Sequence, residues 1–450
     1  MRNFFQAMQS PFVNADLVDR ILTSLPDFSS LVSTILTSKA VYAVYKAHPT
    51  SIQRAVAYNL VGSALPEALR LVRCRRRGMT LKPPNELLGE DDIVKNPQLT
   101  RDEIKDLVGI SGSAKRLEEL FSWREKDCRF QSSSQLTVGE SHRFNRALFR
   151  LSLYSSAYGE GAYVEDDFLD EDDPDGDLLL ENALSLRKRF FETFPTIELE
   201  EIKSFTSFLT DIIHWAMNAH SYFDMGSTDK LLFYGSLPHI VSDMYLGVGE
   251  SPDDETRAIP EGFWDGFVPR SISVVLKQRK APVLTDEQAK RVIIDEVVGG
   301  NVNCTQCHAG PMPRKDLWCP STWDFLRGTI PPHAIRQRLP GYLPGNDTHG
   351  PAITDIWEIN TYSELIDQLF EHKTNAFDSW KREDFLCTGC LGKFLEEHIW
   401  VWYVGEKRKR GEVIPEDCWY GYNCRTQRHK PAHASRLNHF CEPSRGDAPA

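Results

Sequence analysis

The stretch CTGCLGKFLEEHIWVW, Cys387 to Trp402, decides how the last third of the chain folds. Cys387 and Cys390 stand three positions apart, so one tight turn can point both thiols at a single tetrahedral ion. Directly after them Leu391, Phe394, Leu395, His398 and Trp402 recur at the three- and four-residue spacing of a helix with one apolar face. A cysteine knuckle running straight into a helix is predicted. Upstream, Cys304-Thr-Gln-Cys307 repeats the spacing, and two such pairs supply the four sulfurs of a closed zinc site. The 79 intervening residues must be folded back to bring the pairs together. His308 and Cys319 lie close enough in sequence to replace one of the four. Redox catalysis by a CxxC pair would need a preceding strand, whereas Cys304 follows the helix-stopping Gly299-Gly300.

Working outward, eight of the ten cysteines lie in the last third of the 450 residues, leaving Cys74 and Cys128 isolated and expected to be small buried hydrophobes. The length suits two to four domains. The formal charge of -12 is concentrated between Glu160 and Glu181, where eleven acidic residues occur without a Lys or Arg. That run reads as a solvated loop, and the rest of the chain is nearly neutral. No stretch has the roughly 18 apolar residues of a membrane span, and no secretory leader is evident, so a soluble intracellular protein, cytoplasmic and/or nuclear, is expected. Lys407-Arg-Lys-Arg410 offers a nuclear address or a solvated helix end.

Before the acidic run the pattern is helical. Leu17, Val18, Ile21, Leu22 and Leu25 keep helix spacing after a cap at Asn14, and Pro26 stops the segment. A second stripe contains Leu31, Ile35 and Leu36, and a third begins near Ser38 with Val41, Val44 and Tyr45. Beyond the acidic run, Thr196 is placed to cap a helix whose inner face is Ile202, Phe205, Leu209, Ile212 and Ala216, with His214 beside that face. Thr285 and Gln288 form a capping-box pattern predicting a helix through Val297.

The segment CWYGYNCRTQRHKPAHASRLNHFC, Cys418 to Cys441, is the second metal constellation. Cys418, Tyr420-Gly421, Cys424, Pro431, His433 and His439 resemble the poly(ADP-ribose)-binding zinc finger. Two thiolates and two imidazoles close a tetrahedral site, and so short a segment depends on its metal to stay folded. His429 and Cys441 are alternative ligands. Arg425 stands where that family carries an aromatic, and the Cys424-to-His433 interval is two residues longer. Tyr420, Tyr422, Arg425 and Arg428 could stack a base and pair with phosphate, so poly(ADP-ribose) or nucleic acid is the ligand this resemblance implies. The alternative is a purely structural finger.

At the other end, Ile21-Leu22, Leu25-Pro26, Ser38-Lys39 and Tyr42 resemble the core of an F-box. The leading Leu-Pro is missing, and there is one extra residue before Ser38. The resemblance implies docking onto the Skp-type adaptor of a cullin-based ubiquitin ligase through Ile21, Leu22, Leu25, Pro26, Leu31 and Lys39, with the rest of the chain selecting an unknown protein substrate. Combined with cysteine knuckles, such a motif looks like members of large fungal F-box-like sets. The hydrolase elbow, the phosphate-cradling loop and the HExxH helix are all missing, and a filled four-ligand metal site leaves no position for a catalytic water. A non-enzymatic adaptor with about two structural zinc ions is expected.

The expected fold is mainly α. Its segments are the F-box-like motif (10–60), a helical region (61–156), an acidic loop (157–183), a helical domain (184–300), a four-cysteine zinc region (301–404) and a finger-like segment (405–445), the last two forming a zinc-stabilised α+β region.

Overall fold

Side-chain caps mark off the N-terminal helices. Asn14 accepts from the backbone N–H groups of Asp16 and Leu17 and opens α1 (Ala15–Thr23). Asp27 accepts from Ser30 to open α2 (Phe28–Ile35), and Ser38 from Val41 to open α3 (Lys39–Ala47). Pro49 occupies the first turn of α4 (Pro49–Val61), where its missing N–H costs nothing. The computed structural model describes residues 14–126, 134–163, 174–220, 228–234, 259–285, 288–289, 291–295, 302–312, 316–339 and 361–445. The fold is mainly α.

The chain divides into two compact units. The first draws on Met1–Ser122, Ser134–Ile213 and Asp224–Glu296, and the second on Trp123–Ser133, His214–Phe223 and Val297–Ala450. The N-terminal helices thus share a unit with α5 (Leu65–Arg76), α6 (Glu90–Lys95), α7 (Arg101–Phe121), α8 (Val138–Tyr158) and α9 (Pro174–Glu192). Also in that unit are α10 (Thr196–His220) up to Ile213, α11 (Thr228–Phe233), α12 (Glu261–Trp264) and α13 (Pro269–Gln278). Capping boxes at Thr100/Glu103 and Thr137/Glu140 start the long helices α7 and α8.

α8 is buried on nearly every side, from Phe144 through Leu148 and Leu151 to Tyr158, which makes it the central helix of the unit. Its three arginines, Arg143, Arg146 and Arg150, are all satisfied by ion pairs. Arg150 donates to Glu90 of α6 (2.9 Å) and Glu198 of α10 (2.6 Å), and Arg146 donates to Glu198 (2.8 Å) and Glu201 (2.7 Å). Arg73 of α5 meets Glu103 of α7 at 2.8 Å. The expected inner face of α10 is buried as read, and His214 beside that face is exposed and outside both ligand clusters.

Two segments differ from expectation. Residues from Pro174 onward, assigned to the acidic loop, belong to α9, while 164–173 lie outside the described residues. The Thr285/Gln288 capping bonds do form, at 2.9 and 3.3 Å. Gln288 and Ala289 are helical, yet Arg291 to Ile293 is already a turn, so the helix does not run on as expected. Arg143 bonds the Ile293 carbonyl at 2.8 Å and salt-bridges Asp295 at 2.7 Å, contacts that hold this segment as an irregular strap.

In the second unit, α14 (Pro332–Gln337), α15 (Tyr362–Glu371), α16 (Thr388–Lys409) and α17 (Pro431–Arg436) surround a core containing Trp323, Ile366, Leu369, Phe394, Leu395 and Ile399. The strand content described is small. β1 (Leu317–Trp318) pairs antiparallel with β2 (Leu386–Cys387), Leu317 facing Cys387, and isolated bridges join Val302 to Met312 and Asp417 to Asn438.

Candidate metal centres

The first centre is built on the start of α16. Cys387 ends β2 and is also the helix cap, its sulfur accepting from the Cys390 N–H, so strand pairing and helix onset together fix one cysteine pair. The other pair sits in a turn closed by the Val302–Met312 bridge and by the Cys304 N–H to Ala309 carbonyl bond of 2.9 Å. Thr305 donates to the Phe385 carbonyl at 2.8 Å, and the Phe385 N–H returns to the Thr305 hydroxyl at 3.0 Å, stitching turn to strand. The four ligand atoms of Cys304, Cys307, Cys387 and Cys390 all lie within 4.8 Å of one another. A tetrahedral zinc with bonds of about 2.3 Å holds its sulfurs about 3.8 Å apart, and the Cys307 and Cys387 sulfurs are 3.7 Å apart.

Electrostatics favour a cation there. Burial raises the Cys304 thiol pKa, but backbone N–H groups of Cys307, Cys387 and Gln306 outweigh it and bring the thiol down to about 7. Cys387 and Cys390 are pushed upward, by burial first and then by the neighbouring sulfurs. Four clustered sulfurs cannot all ionise without a positive charge between them. His308 is exposed in the left-handed region at φ 55° and lies outside the cluster, as does Cys319, buried with its sulfur 3.1 Å from the Ser321 hydroxyl.

The second centre follows α16. Cys418 and Cys424 are joined by a turn in which Gly421 has φ 44°, and a Cβ there would collide with the Cys441 carbonyl oxygen. α17 carries His433, and the Asp417–Asn438 bridge places His439 opposite. The ligand atoms of Cys418, Cys424, His433 and His439 also lie within 4.8 Å of one another. His433 Nε2 is 3.3 Å from the Cys424 sulfur and 3.2 Å from His439 Nε2. Burial, and then His433, lowers the His439 pKa and favours the neutral imidazole that binds metal. Cys441 instead points its thiol at the Cys418 and Asn438 carbonyls, and burial with Asp417 nearby raises it to about 11. His429 is exposed and outside the cluster.

Both clusters could hold metal ions. Both belong to the second unit, and α16 links them: Tyr403 packs edge-on against Phe440 at 5.2 Å, and Trp400 against Tyr422 at 5.9 Å. No family model, no curated protein and no solved structure matches the chain.

Of the residues expected to grip a nucleotide, Tyr420, Arg425 and Arg428 are exposed, but Tyr422 is half-buried against Trp400 and has lost one face. Trp419 was not anticipated. It is 59% exposed, with the Arg445 guanidinium 4.0 Å above its ring. Its signal was its place beside Tyr420 in the aromatic run after Cys418. Three members of the basic run are partnered: Lys409 pairs with Glu406, and Lys407 and Arg410 with Glu412.

At the N-terminus the expected docking residues separate. Leu22 and Leu31 are buried core, Leu25 is half-buried, and Ile21, Pro26 and Lys39 are exposed. Exposed apolar residues not on that list are Leu17, Val32, Leu36 and Tyr42. Among the described residues no helix is long and apolar enough to cross a membrane.

Proposed function

We propose that this chain is the substrate-selecting subunit of a cullin-based ubiquitin ligase, docking a Skp-type adaptor through α1 to α3 and carrying two structural zinc ions in its second unit. The docking assignment rests on how the N-terminal apolar residues divide. Val18, Leu22, Phe28, Leu31 and Val41 close a small core, while Leu17, Ile21, Val32, Leu36 and Tyr42 remain outside it, Leu36 at 77% exposure. Single exposed apolar residues are ordinary, but five within 26 residues are an interface composition. Each leucine buried in a partner contributes about 1.5–3 kcal/mol. The zinc assignment rests on thiolate and imidazole donors in sets of four, the ligand choice of closed zinc sites. With all four positions protein-filled, the role is architectural rather than catalytic, and work in the cytoplasm or nucleus follows from the partner.

The test is recovery of the adaptor on the tagged full chain. Ile21→Asp with Leu36→Asp, both exposed, should abolish recovery without altering circular dichroism. Unchanged recovery from the double variant would reject the docking surface.

A second reading, a non-enzymatic finger binding poly(ADP-ribose) or nucleic acid, is favoured by exposed Trp419 and Tyr420 beside Arg425, Arg428 and Arg445. It requires Trp419→Ala with Tyr420→Ala to lose polymer binding on a blot while two zinc ions remain.

A further inference from the structure

In the first unit, α5, α8 and the turn between Gly78 and Thr80 enclose a cavity of about 410 Å³, within the size range of small-ligand sites. Its position follows from the way α5 ends. Gly78 takes φ 58°, its N–H bonds the Arg75 carbonyl at 3.0 Å, and the Met79 N–H bonds the Cys74 carbonyl at 3.1 Å. That reversal, together with the Leu81 N–H to Ala157 carbonyl bond of 2.9 Å, carries the chain over the gap between the two helices.

The wall is chemically divided. Ser152, Ser155 and Ser156 of α8 lie on one helical face and line the cavity. Ser152 and Ser155 are only 6% and 5% exposed, yet among the described residues none of the three hydroxyls has a hydrogen-bond partner. Buried helical serines ordinarily bond back to a carbonyl of the preceding turn. Three that do not, facing one space, are donors and acceptors left for something in that space. Arg75 joins the same wall. Among the described residues no salt bridge reaches it; Asp106, which pairs with Arg76 at 2.6 Å, acts on it only as a nearby negative charge. Glu160, also lining the cavity, has interactions of its own. The remaining surface includes Leu71, Ile110, Leu148 and Phe149.

We propose that this cavity binds a medium-chain monocarboxylic acid, its carboxylate meeting Arg75 and the serine hydroxyls and its apolar body lying along Leu71, Ile110, Leu148 and Phe149. A guanidinium and hydroxyls form charge-assisted bonds with a carboxylate, and the apolar wall has no use for a second polar end. The site is independent of the adaptor and the metal centres.

The probe is decanoate, titrated calorimetrically into the full zinc-loaded chain, with decanol as the neutral control. One-to-one decanoate binding is expected, at least about tenfold tighter than decanol. Arg75→Gln, a solvent-exposed substitution, should erase that preference while leaving decanol affinity unchanged. Ser152→Leu, which fills the cavity, should remove both ligands while α-helical circular dichroism is retained. Absence of decanoate binding, equal affinity for the two probes, or decanoate binding indifferent to both variants overturns the assignment.

Discussion

At the residue scale, two positions carry more than their neighbours. Gly421 is confined by its positive φ and by the Cys441 carbonyl, so Gly421→Ala should strain the finger by on the order of 1–3 kcal/mol. Zinc per chain measured by emission spectroscopy after gel filtration should fall from two toward one, the Cys304 centre being retained. His398 is fully buried, with Nδ1 2.7 Å from the Phe394 carbonyl and Nε2 accepting the Thr374 N–H at 3.1 Å. Burial lowers its pKa beneath the ordinary 6.5, so the folded state binds this proton less readily than the unfolded chain. Its stabilising contribution is present above pH 6.5 and is lost as pH falls from there toward the depressed native value, by at most about 1.4 kcal/mol per pH unit. Urea unfolding in saturating zinc on the acidic side of pH 6.5 should show this dependence, and His398→Gln should reduce it by that residue's share, while His142 and His439, also lowered by burial, keep theirs.

At the scale of elements, the ligand assignments and the ion-pair bracket make separate demands. Cys390→Ser or His439→Ala should each remove one zinc, whereas Cys319→Ser and Cys441→Ser should keep both. Loss of zinc in either of the latter variants would redraw the sets. In the first unit, Arg150→Met leaves Glu90 with Arg70 alone and Glu198 with Arg146 alone, a loss of charge-assisted bonds expected to cost about 1.5–3 kcal/mol in denaturant unfolding. Legibility from sequence also varies by element. Cysteine spacing and apolar periodicity are local, so both metal sets and the inner face of α10 could be read directly. β1 and β2 are two residues each, too short for alternation to mark them, and their pairing joins positions far apart in the chain. The helix expected beyond Thr285 had a proper start, but Arg143 and Glu140, which bond Ile293 and Asp295, lie some 150 residues earlier and outweigh local propensity.

At the scale of the whole molecule, the division into two units places every proposed metal ligand in one of them. Chelation by EDTA should therefore abolish amide-exchange protection in α16 and α17 while α5 and α8 stay protected. Uniform loss across both units would mean that the first unit also depends on metal. The apolar division at α1 to α3 shows what a motif conceals: a short hydrophobic signature names the residues but does not sort those that face inward, such as Leu22 and Leu31, from those that stay exposed, such as Ile21 and Leu36.

The 80-residue separation between Cys307 and Cys387 also sets a clock for synthesis. At about 5–20 residues per second, roughly 4–16 s pass after the first cysteine pair is made before its mates exist. Throughout that interval Cys304 and Cys307 form half a chelate on a nascent chain, open to oxidation or to capture by another metal. The second unit can become a single body only after Cys390 has been made, and premature termination anywhere before Cys390 leaves it without its first centre.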